Sequence, residues 1–273
     1  MTFGLKDRVA IVTGAAGGIG SATAKMLAAE GARLVIVDRN EEPLEALAGE
    51  LREAGTDVLA RRLDVTDAPA YEELVADADA RFGGIDLLAS VAGGGMPQTL
   101  RTMRHEDWMS VLNLNLSAPF NGIRAVHASM RKRGGGAIVT VASLASIRMS
   151  LNNGISYTAA KSGLLGLTRH AAFELGPDNI RVNAVLPGPV LTGQIKAKMA
   201  PERIARVAGE LPLGRWVRPE EVAASILFFC SDLSSACTGT HVVVDGGMHI
   251  GAPVSREEYL RHRDQPAASH PQE

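Results

Sequence analysis

Hydrophobic and polar positions form two alternating patterns along this chain. Short apolar runs predict buried strands at residues 8–12, 33–37, 58–63, 85–91, 137–142, 180–186 and 241–245. Apolar residues at helical spacing predict helices between them, at residues 21–30, 42–54, 68–82, 106–133, 156–175 and 220–231. Strands that alternate with helices predict a parallel sheet with helices on both faces. Pro119 lies inside the longest helical stretch and predicts a kink there.

A glycine-rich turn joins the first predicted strand to the first predicted helix. Its sequence, Thr13-Gly-Ala-Ala-Gly-Gly-Ile-Gly20, has the spacing G-x-x-x-G-x-G. Gly14 permits a tight turn, Gly18 lets the backbone approach a ligand, and Gly20 lets the helix pack on the strand. Free N–H groups and the helix dipole favour an anion at a helix N-terminus, so the turn predicts a site for the pyrophosphate of a dinucleotide. A glycine-rich turn without a ligand is the alternative.

Asp38 ends the second predicted strand, about 20 residues past the glycine turn. An acid at this distance is typical of the group that binds the adenosine ribose diol. A carboxylate would repel a 2′-phosphate ~4 Å away by about 4 kcal/mol at an effective dielectric of about 20. The turn itself has no Lys or Arg to offset this repulsion, which favours NAD over NADP, although Arg39 could reach a phosphate. A solvated loop carboxylate is the alternative for Asp38.

Tyr157 and Lys161 lie one helical turn apart in the stretch Tyr-Thr-Ala-Ala-Lys. Residues four apart on a helix share a face, with Cβ atoms ~5–6 Å apart. Two unit charges about 5 Å apart at an effective dielectric of about 20 interact by roughly 3 kcal/mol, which equals about two pKa units. Lys161 and a second cation are therefore predicted to bring the pKa of the Tyr157 phenol towards neutrality, where proton transfer is most efficient. A half-buried tyrosine beside a helix-surface lysine is the alternative.

Composition narrows the function classes. The chain has 273 residues, 46% hydrophobic and 21% charged, which suits one globular α/β domain. A net charge of −2 argues against a nucleic-acid partner. With no apolar run of membrane-spanning length and no signal-peptide pattern, the sequence predicts a cytoplasmic protein without a membrane partner. Cys230 and Cys237 lack metal-ligand spacing, and no metal site is predicted.

Over residues 6–247 the chain resembles the short-chain dehydrogenase/reductase family. The glycine turn matches the family's cofactor turn, and Tyr157-x-x-x-Lys161 matches its catalytic pair. Ser143, after the fifth predicted strand, falls where the family has its catalytic serine. Asn115, seven residues after Trp108, falls where the family has its catalytic asparagine. The segments at 181–188 and 244–247 also resemble family segments.

The resemblance implies a single doubly wound Rossmann domain over residues 1–251, followed by a C-terminal tail at 252–273. The expected sheet has seven parallel strands in the order 3-2-1-4-5-6-7, with helices on both faces. Residues 192–216 are expected to form a substrate lid. A homotetramer or homodimer is also implied, and the predicted helix at 156–175 supports it because that helix is apolar almost all round.

The family's mechanism implies hydride transfer between a secondary alcohol or ketone and a nicotinamide. Tyr157 would be the general acid/base, Lys161 would lower its pKa and hold the nicotinamide ribose, Ser143 would bind the substrate oxygen, and Asn115 would hold a water. A strand-end serine and a core or capping amide are the respective alternatives for Ser143 and Asn115. The cofactor-binding set implied by the resemblance comprises Gly14, Gly18, Ile19, Gly20, Asp38, Arg39, Asp64, Val65, Ala92, Gly93, Tyr157, Lys161, Pro187, Gly188, Val190 and Thr192.

Two features depart from the family pattern. Ser90-Val91-Ala92-Gly93 replaces the usual Asn-Asn-Ala-Gly, so looser strand contacts are expected there. Fourteen positions separate Ser143 from Tyr157, one more than is common, and the extra residue is expected in the loop at 149–154, which would border the substrate. An apolar pocket lining is expected from Met96, Met149, Leu151 and Met199. Basic lid residues could meet an anionic substrate or be solvated, namely Lys196, Lys198, Arg203 and Arg206.

Three functions remain open on these grounds. The first is an NAD-dependent alcohol dehydrogenase or carbonyl reductase. The second is an NADPH-dependent reductase of 3-oxoacyl thioesters on acyl-carrier protein or coenzyme A, against which Asp38 argues. The third is a dinucleotide-binding regulatory protein without turnover, which would have no need for Ser143, Tyr157 and Lys161 together.

Overall fold

One parallel sheet organises the molecule, for which the computed structural model describes residues 3–251 and residue 261. Its strands are β1 (Val9–Thr13), β2 (Arg33–Asp38), β3 (Val58–Arg62), β4 (Leu87–Ser90), β5 (Gly136–Val141), β6 (Ile180–Pro187) and β7 (His241–Val244). They pair in the order β3-β2-β1-β4-β5-β6-β7, and every pairing is parallel. The expected seven-stranded order is confirmed. Apart from Arg261, the expected tail lies outside the described residues.

Helices connect the strands and cover both faces of the sheet. They are α1 (Gly18–Ala29), α2 (Glu41–Glu53), α3 (Ala68–Phe82), α4 (His105–Leu112), α5 (Ala118–Lys132), α6 (Gly154–Leu175), α7 (Gly193–Lys198), α8 (Pro201–Glu210) and α9 (Pro219–Cys230). Within the described part of the chain, no helix is both long and apolar enough to cross a lipid bilayer.

Alternation along the strands divides the core into two halves. Ala10 and Val12 of β1 pack with α1, α2 and α9 on one face, while Val9 and Ile11 pack with α3, α5 and α6 on the other. Successive side chains of a strand point to opposite faces, so a run that is apolar throughout belongs to a strand covered on both sides. This explains why the central strands are continuous apolar runs in the sequence.

The helix predicted at 106–133 is interrupted close to the predicted position. A π-helical turn at Asn113–Ser117 separates α4 from α5. Pro119 follows it directly, in the first turn of α5. A proline has no N–H to donate to the preceding turn, and prolines and π turns are both recognised causes of a helix bend. The structure therefore places the irregular turn just before the predicted kink at Pro119.

Strand order reverses between β1 and β4, which carry connections to opposite sides of the sheet. In an open parallel sheet, such a switch point leaves a crevice at the carboxyl ends of the strands. The hydroxyl of Thr13, the last residue of β1, accepts hydrogen bonds from the N–H groups of Val91 (2.9 Å) and Ala92 (3.1 Å) just past β4. These bonds hold the two strand ends together at the position where the family has its amides.

Candidate active site

The glycine turn is shaped by close backbone contacts. Gly14 has a φ of +64°, and a Cβ at Gly20 would overlap the carbonyl oxygen of Gly14. A Cβ at Gly18 would lie 3.0 Å from the methyl group of Thr192. Gly17 precedes α1 and offers no side chain to cap it, so the N-terminal N–H groups of the helix are not engaged by a capping side chain. The turn therefore presents backbone donors and the positive end of a helix dipole.

A cleft of about 880 Å³ opens above this turn. Many of the expected cofactor residues line it, namely Gly14, Gly18, Ile19, Gly20, Asp38, Arg39, Asp64, Val65, Ala92, Gly93 and Thr192. The cleft belongs to the size class of small-molecule and cofactor sites. The structure thus brings together residues from five separate chain segments that the sequence assigned to one site.

The remaining expected cofactor residues lie outside this lining. Pro187 ends β6, and Gly188 packs so closely on Asp245 that a Cβ would come 2.5 Å from the Asp245 Cβ. Val190 is 6% exposed and pairs with Val217, so its side chain belongs to the core and only its backbone could face a ligand.

One side of the cleft was missed by the sequence analysis. Glu106, Met109, Ser110 and Asn113 line the cleft from α4 and the π turn. They follow one another at the i, i+3, i+4, i+7 spacing of a helix face. That spacing could have identified the face, but the sequence does not reveal that the face lies against the cleft.

Asp38 is held rigidly at the end of β2. One carboxylate oxygen, Oδ2, accepts a hydrogen bond from the N–H of Ala16 at 3.1 Å. The other, Oδ1, accepts from the N–H and the side-chain amide of Asn40, at 3.0 and 3.1 Å. The side chain is 9% exposed yet lines the cleft. A carboxylate fixed in this way can accept further hydrogen bonds from a pair of hydroxyls.

Arg39 and Asp64 follow the ends of the neighbouring strands β2 and β3, so both lie close to Asp38. Hydrogen bonds from the backbone and hydroxyl of Thr66, at 2.9 and 2.7 Å, lower the pKa of Asp64. The charge of Arg39 lowers that pKa further. The Arg39 guanidinium is thus already close to one carboxylate of the cleft, which reduces the positive charge it can offer to a phosphate.

Ser143, Tyr157 and Lys161 meet beside the cleft. Lys161 Nζ lies 5.6 Å from the centre of the Tyr157 ring and donates to the carbonyl oxygen of Val141 at 2.7 Å. Burial raises the pKa of Tyr157, and a hydrogen bond with Ser143 acts in the opposite direction. Burial also lowers the pKa of Lys161 to about 7. Burial is thus the largest influence on both pKa values, and Lys161 by itself does not bring the pKa of Tyr157 below its usual value.

Asn115 lies in the π turn and is fully buried. Its Oδ1 accepts from the N–H of Gly94 at 3.1 Å, and its Nδ2 donates to the carbonyl oxygens of Gly94 (2.7 Å) and Val111 (2.8 Å). A Cβ at Gly93 would lie 2.9 Å from Asn115 Oδ1 and 3.1 Å from Lys161 Nζ. The amide therefore fixes the loop after β4 at the point where that loop passes the lysine.

The loop before α6 is tied to its surroundings by short-range hydrogen bonds. The Thr158 hydroxyl accepts from the N–H of Ser150 at 3.0 Å, and the Ser150 hydroxyl accepts from the N–H of Asn153 at 3.1 Å. Two expected members of an apolar lining in this loop, Met149 and Leu151, are 70% and 73% exposed. They border the site without being enclosed by it.

The expected lid at 192–216 contains two short helices, α7 and α8. Thr192 caps α7 by accepting from the N–H of Ile195 at 3.3 Å. The indole N–H of Trp216 donates to the carbonyl oxygen of Ile204 in α8 at 2.8 Å, which fastens that helix to the segment before α9. The Arg203 side chain of α8 reaches Asn152 in the loop before α6.

Comparison with known proteins extends this description. A family model described as enoyl-(acyl carrier protein) reductase matches residues 14–249. The 2,5-dichloro-2,5-cyclohexadiene-1,4-diol dehydrogenase of Sphingobium indicum is 36% identical, covering 90% of this chain and 98% of its own length. The 3-oxoacyl-[acyl-carrier-protein] reductase of Thermotoga maritima is 39% identical, covering 90% and 99%.

One solved structure is similar to this chain in both fold and sequence. A 7α-hydroxysteroid dehydrogenase in complex with NADH and 7-oxo glycochenodeoxycholic acid superposes with a TM-score of 0.85 at 33% identity, covering 90% of this chain and 96% of that one. The fold and the cleft define a nicotinamide-dependent oxidoreductase that acts on small molecules. More narrowly, the chain belongs to the short-chain dehydrogenase/reductase family.

Proposed function

We propose that this protein is an NAD-dependent dehydrogenase that interconverts a secondary alcohol and a ketone, with Tyr157 as the general acid/base. The observation that carries the proposal is the meeting of Ser143, Tyr157 and Lys161 beside the 880 Å³ cleft. A dinucleotide suits this cleft because the lining includes the glycine turn, which offers backbone donors at the start of α1, and the carboxylate of Asp38. The NADH named with the similar hydroxysteroid dehydrogenase gives independent support.

Each side chain has one task in this mechanism. Tyr157 gives a proton to the substrate oxygen during reduction and takes it back during oxidation. Ser143 donates a hydrogen bond to the same oxygen and stabilises the charge that develops there. Oxidised nicotinamide, when bound, supplies the hydride acceptor and a positive charge beside the phenol. Lys161 would hold the ribose hydroxyls of the bound cofactor, and Asn115 fixes the loop that passes the lysine.

The preference for NAD rests on Asp38. Its carboxylate is fixed by three hydrogen bonds and cannot turn away from the cleft without losing them. Ala15, Ala16 and Gly17 of the glycine turn carry no positive charge. Repulsion between this carboxylate and a 2′-phosphate would disfavour NADP.

A second candidate function is the NADPH-dependent reduction of 3-oxoacyl thioesters. The 39% identity with a reductase of that substrate supports it, and Asp38 weighs against it. A regulatory protein without turnover is the least supported candidate, since Ser143, Tyr157 and Lys161 converge. A cytoplasmic location is part of the proposal, because both cysteines, Cys230 and Cys237, are free thiols.

Replacement of Tyr157 by Phe tests the function directly. Without a proton donor the turnover of alcohols should fall by ~10²–10⁴-fold, the usual contribution of general acid/base catalysis. NADH binding, followed by calorimetry, should change little, because the phenyl ring remains. Tyr71→Phe is the matched control, since it removes a buried hydroxyl that has no hydrogen-bond partner in the described structure. Full activity in Tyr157→Phe would rule out the proposed acid/base.

A further inference from the structure

Ser143 stands at the start of a short 3-10 turn, Leu144–Ser146, that follows β5. Its hydroxyl accepts a hydrogen bond from the N–H of Ala145 at 3.1 Å. Its carbonyl oxygen accepts one from the N–H of Ser146 at 2.8 Å. Ser143 and Ser146 therefore belong to one hydrogen-bonded unit, and a displacement of Ser146 would displace Ser143 as well.

Ser146 joins this turn to α6, the helix of Tyr157 and Lys161. Its hydroxyl donates to the carbonyl oxygen of Lys161 at 2.8 Å, and its own carbonyl oxygen accepts from the hydroxyl of Ser162 at 3.2 Å. The two bonds run in opposite directions between the same two segments. The first is partly buried and the second is exposed, so the first is the stronger tie because water competes with it less.

A third bond joins the same segments, but it involves a group that the proposed chemistry uses. The amine of Lys161 donates to the carbonyl oxygen of Val141, the last residue of β5, at 2.7 Å. In the proposed mechanism this amine also holds the ribose of the cofactor. The Ser146 hydroxyl has no such second task, so its bond keeps the turn on α6 while the lysine engages the cofactor.

Past Ser146 the chain leaves the surface of α6. Ile147 and Met149 are 49% and 70% exposed. The next hydrogen bond to α6 is the one from the N–H of Ser150 to the hydroxyl of Thr158. Ser146 therefore provides the side-chain tie to α6 that lies nearest to the proposed catalytic serine on this side of the turn.

We propose that Ser146 is a positioning residue of the reaction: through its hydrogen bond to the Lys161 carbonyl it holds Ser143 at bonding distance from Tyr157. Ser143 and Tyr157 act on the same substrate oxygen, yet they come from two separate chain segments. A misplacement of about 1 Å can cost roughly 10²-fold in rate, so a direct bond between those segments matters for turnover. This inference rests on the proposed function and adds to it a residue that touches neither substrate nor cofactor.

Replacement of Ser146 by Ala removes the donor and leaves a side chain of similar size. The kcat for an alcohol should fall roughly five- to tenfold, while KM and the Kd of NADH change less than about twofold. Ser146→Thr keeps a hydroxyl and should recover most of kcat. Ser129→Ala is the matched control, because the Ser129 hydroxyl also joins two segments, bonding Asp79 and the N–H of Ile85. That control should lower stability without lowering kcat.

A double variant separates positioning from a general loss of structure. If Ser146 acts through Ser143, then Ser146→Ala should have no further effect on kcat once Ser143→Ala has removed the hydroxyl that is being positioned. A purely structural role would lower kcat by the same factor in both backgrounds. Equal factors, or full kcat in Ser146→Ala, would overturn the inference.

Crystal structures of the NADH-bound wild type and of NADH-bound Ser146→Ala give a readout that does not require turnover. The distance between Ser143 Oγ and Tyr157 Oη should lie within hydrogen-bonding range in the wild type and be longer in the variant. An unchanged distance would overturn the inference and leave the proposed function standing. A longer distance in an enzyme that turns over no alcohol would support the role of Ser146 in placing Ser143 and contradict the proposed function.

Discussion

The side chain of Lys161 is 2% exposed. Burial changes the pKa of its amine more than any neighbouring group does. Its amine donates to one backbone carbonyl and has no carboxylate partner among the described residues. Burial in such surroundings disfavours the ammonium form, which explains a pKa of about 7 instead of 10.5. The attraction between the Lys161 ammonium and a Tyr157 phenolate, calculated at an effective dielectric of about 20, does not include this desolvation. The sequence alone does not reveal how large the desolvation is.

A pH titration of stability checks the state of Lys161. The unfolded chain retains the proton up to a pH near 10.5, whereas the folded protein loses it near 7. Between these values the unfolded state binds more protons, so stability rises with pH, by at most ~1.4 kcal/mol per pH unit. The free energy of unfolding of the ligand-free wild type should therefore rise relative to that of Lys161→Met from pH 7 to 10. Parallel curves for the two proteins would show that the amine titrates normally.

The proposed preference for NAD depends on the charge of Asp38. Asp38→Asn keeps the hydrogen-bond acceptor of the side chain but removes the negative charge, so the ratio of NADPH to NADH affinity should increase at least tenfold. Calorimetric titration with both reduced cofactors measures the ratio. Asp64→Asn is the control, because it neutralises a second carboxylate in the lining of the same cleft. An equal change in both variants would assign the preference to net charge and not to Asp38.

At the scale of elements, the connection from β1 to α1 is the most tightly constrained part of the cleft. Gly14 adopts a positive φ, and Gly20 packs directly on the backbone of the same turn. The turn leaves no room for a methyl group at its last glycine. The precision of a phosphate site built from backbone donors follows from this close packing.

Two alanine substitutions compare a crowded helical glycine with an open one. Gly20→Ala would place a methyl group against the Gly14 carbonyl and should cost about 1–3 kcal/mol of stability as well as weaken NADH binding. Gly49→Ala in α2 meets nothing within 4 Å and should gain about 0.5–1 kcal/mol from helix propensity. Chemical denaturation measures both changes. Similar stability changes in the two variants would contradict the packing at Gly20.

Strands and most helices could be predicted from the sequence because their apolar spacing is strong. Residues 68–82 were predicted as a helix and form α3 with those bounds. Asn113–Ser117 could not be predicted, since a π turn has no distinctive residue pattern and Pro119 offered a simpler cause for a kink. The glycine turn, Asp38 and Ser143 could be placed because each lies at or just past a strand end, and Tyr157 and Lys161 because they are four residues apart on one helix. The α4 face and the contact between Arg203 and Asn152 depend on tertiary packing, which no local pattern encodes.

At the scale of the whole molecule, α6 exposes apolar side chains that no contact within the subunit covers. Most of its apolar residues are buried within the subunit, so the prediction of a helix apolar all round overstated the excess. What remains is Phe173 at 83% exposure and Ile155 at 39%, with the small residues Ala159 and Gly166 between them on the same side of the helix. Small residues allow close approach of another helix, and Phe173 supplies apolar area, which supports the proposed homotetramer or homodimer.

Assembly can be tested by charging this face. Phe173→Asp should reduce the molar mass in solution, measured by light scattering, because an aspartate cannot be buried at an apolar interface without a partner. Leu100→Asp is the control, since Leu100 is 79% exposed in a different segment. A monomeric wild type, or an unchanged mass for Phe173→Asp, would exclude α6 as the contact surface.

The hydrogen bond between the Trp216 indole and Ile204 makes the lid visible by optical methods. The chain contains two tryptophans, and Trp216 is 8% exposed and fastened to α8. Indole emission shifts in wavelength when its surroundings become wetter or drier. Any movement of α8 over the substrate would therefore change the intrinsic emission of the protein, so the enzyme carries a reporter of its own closure that requires no label.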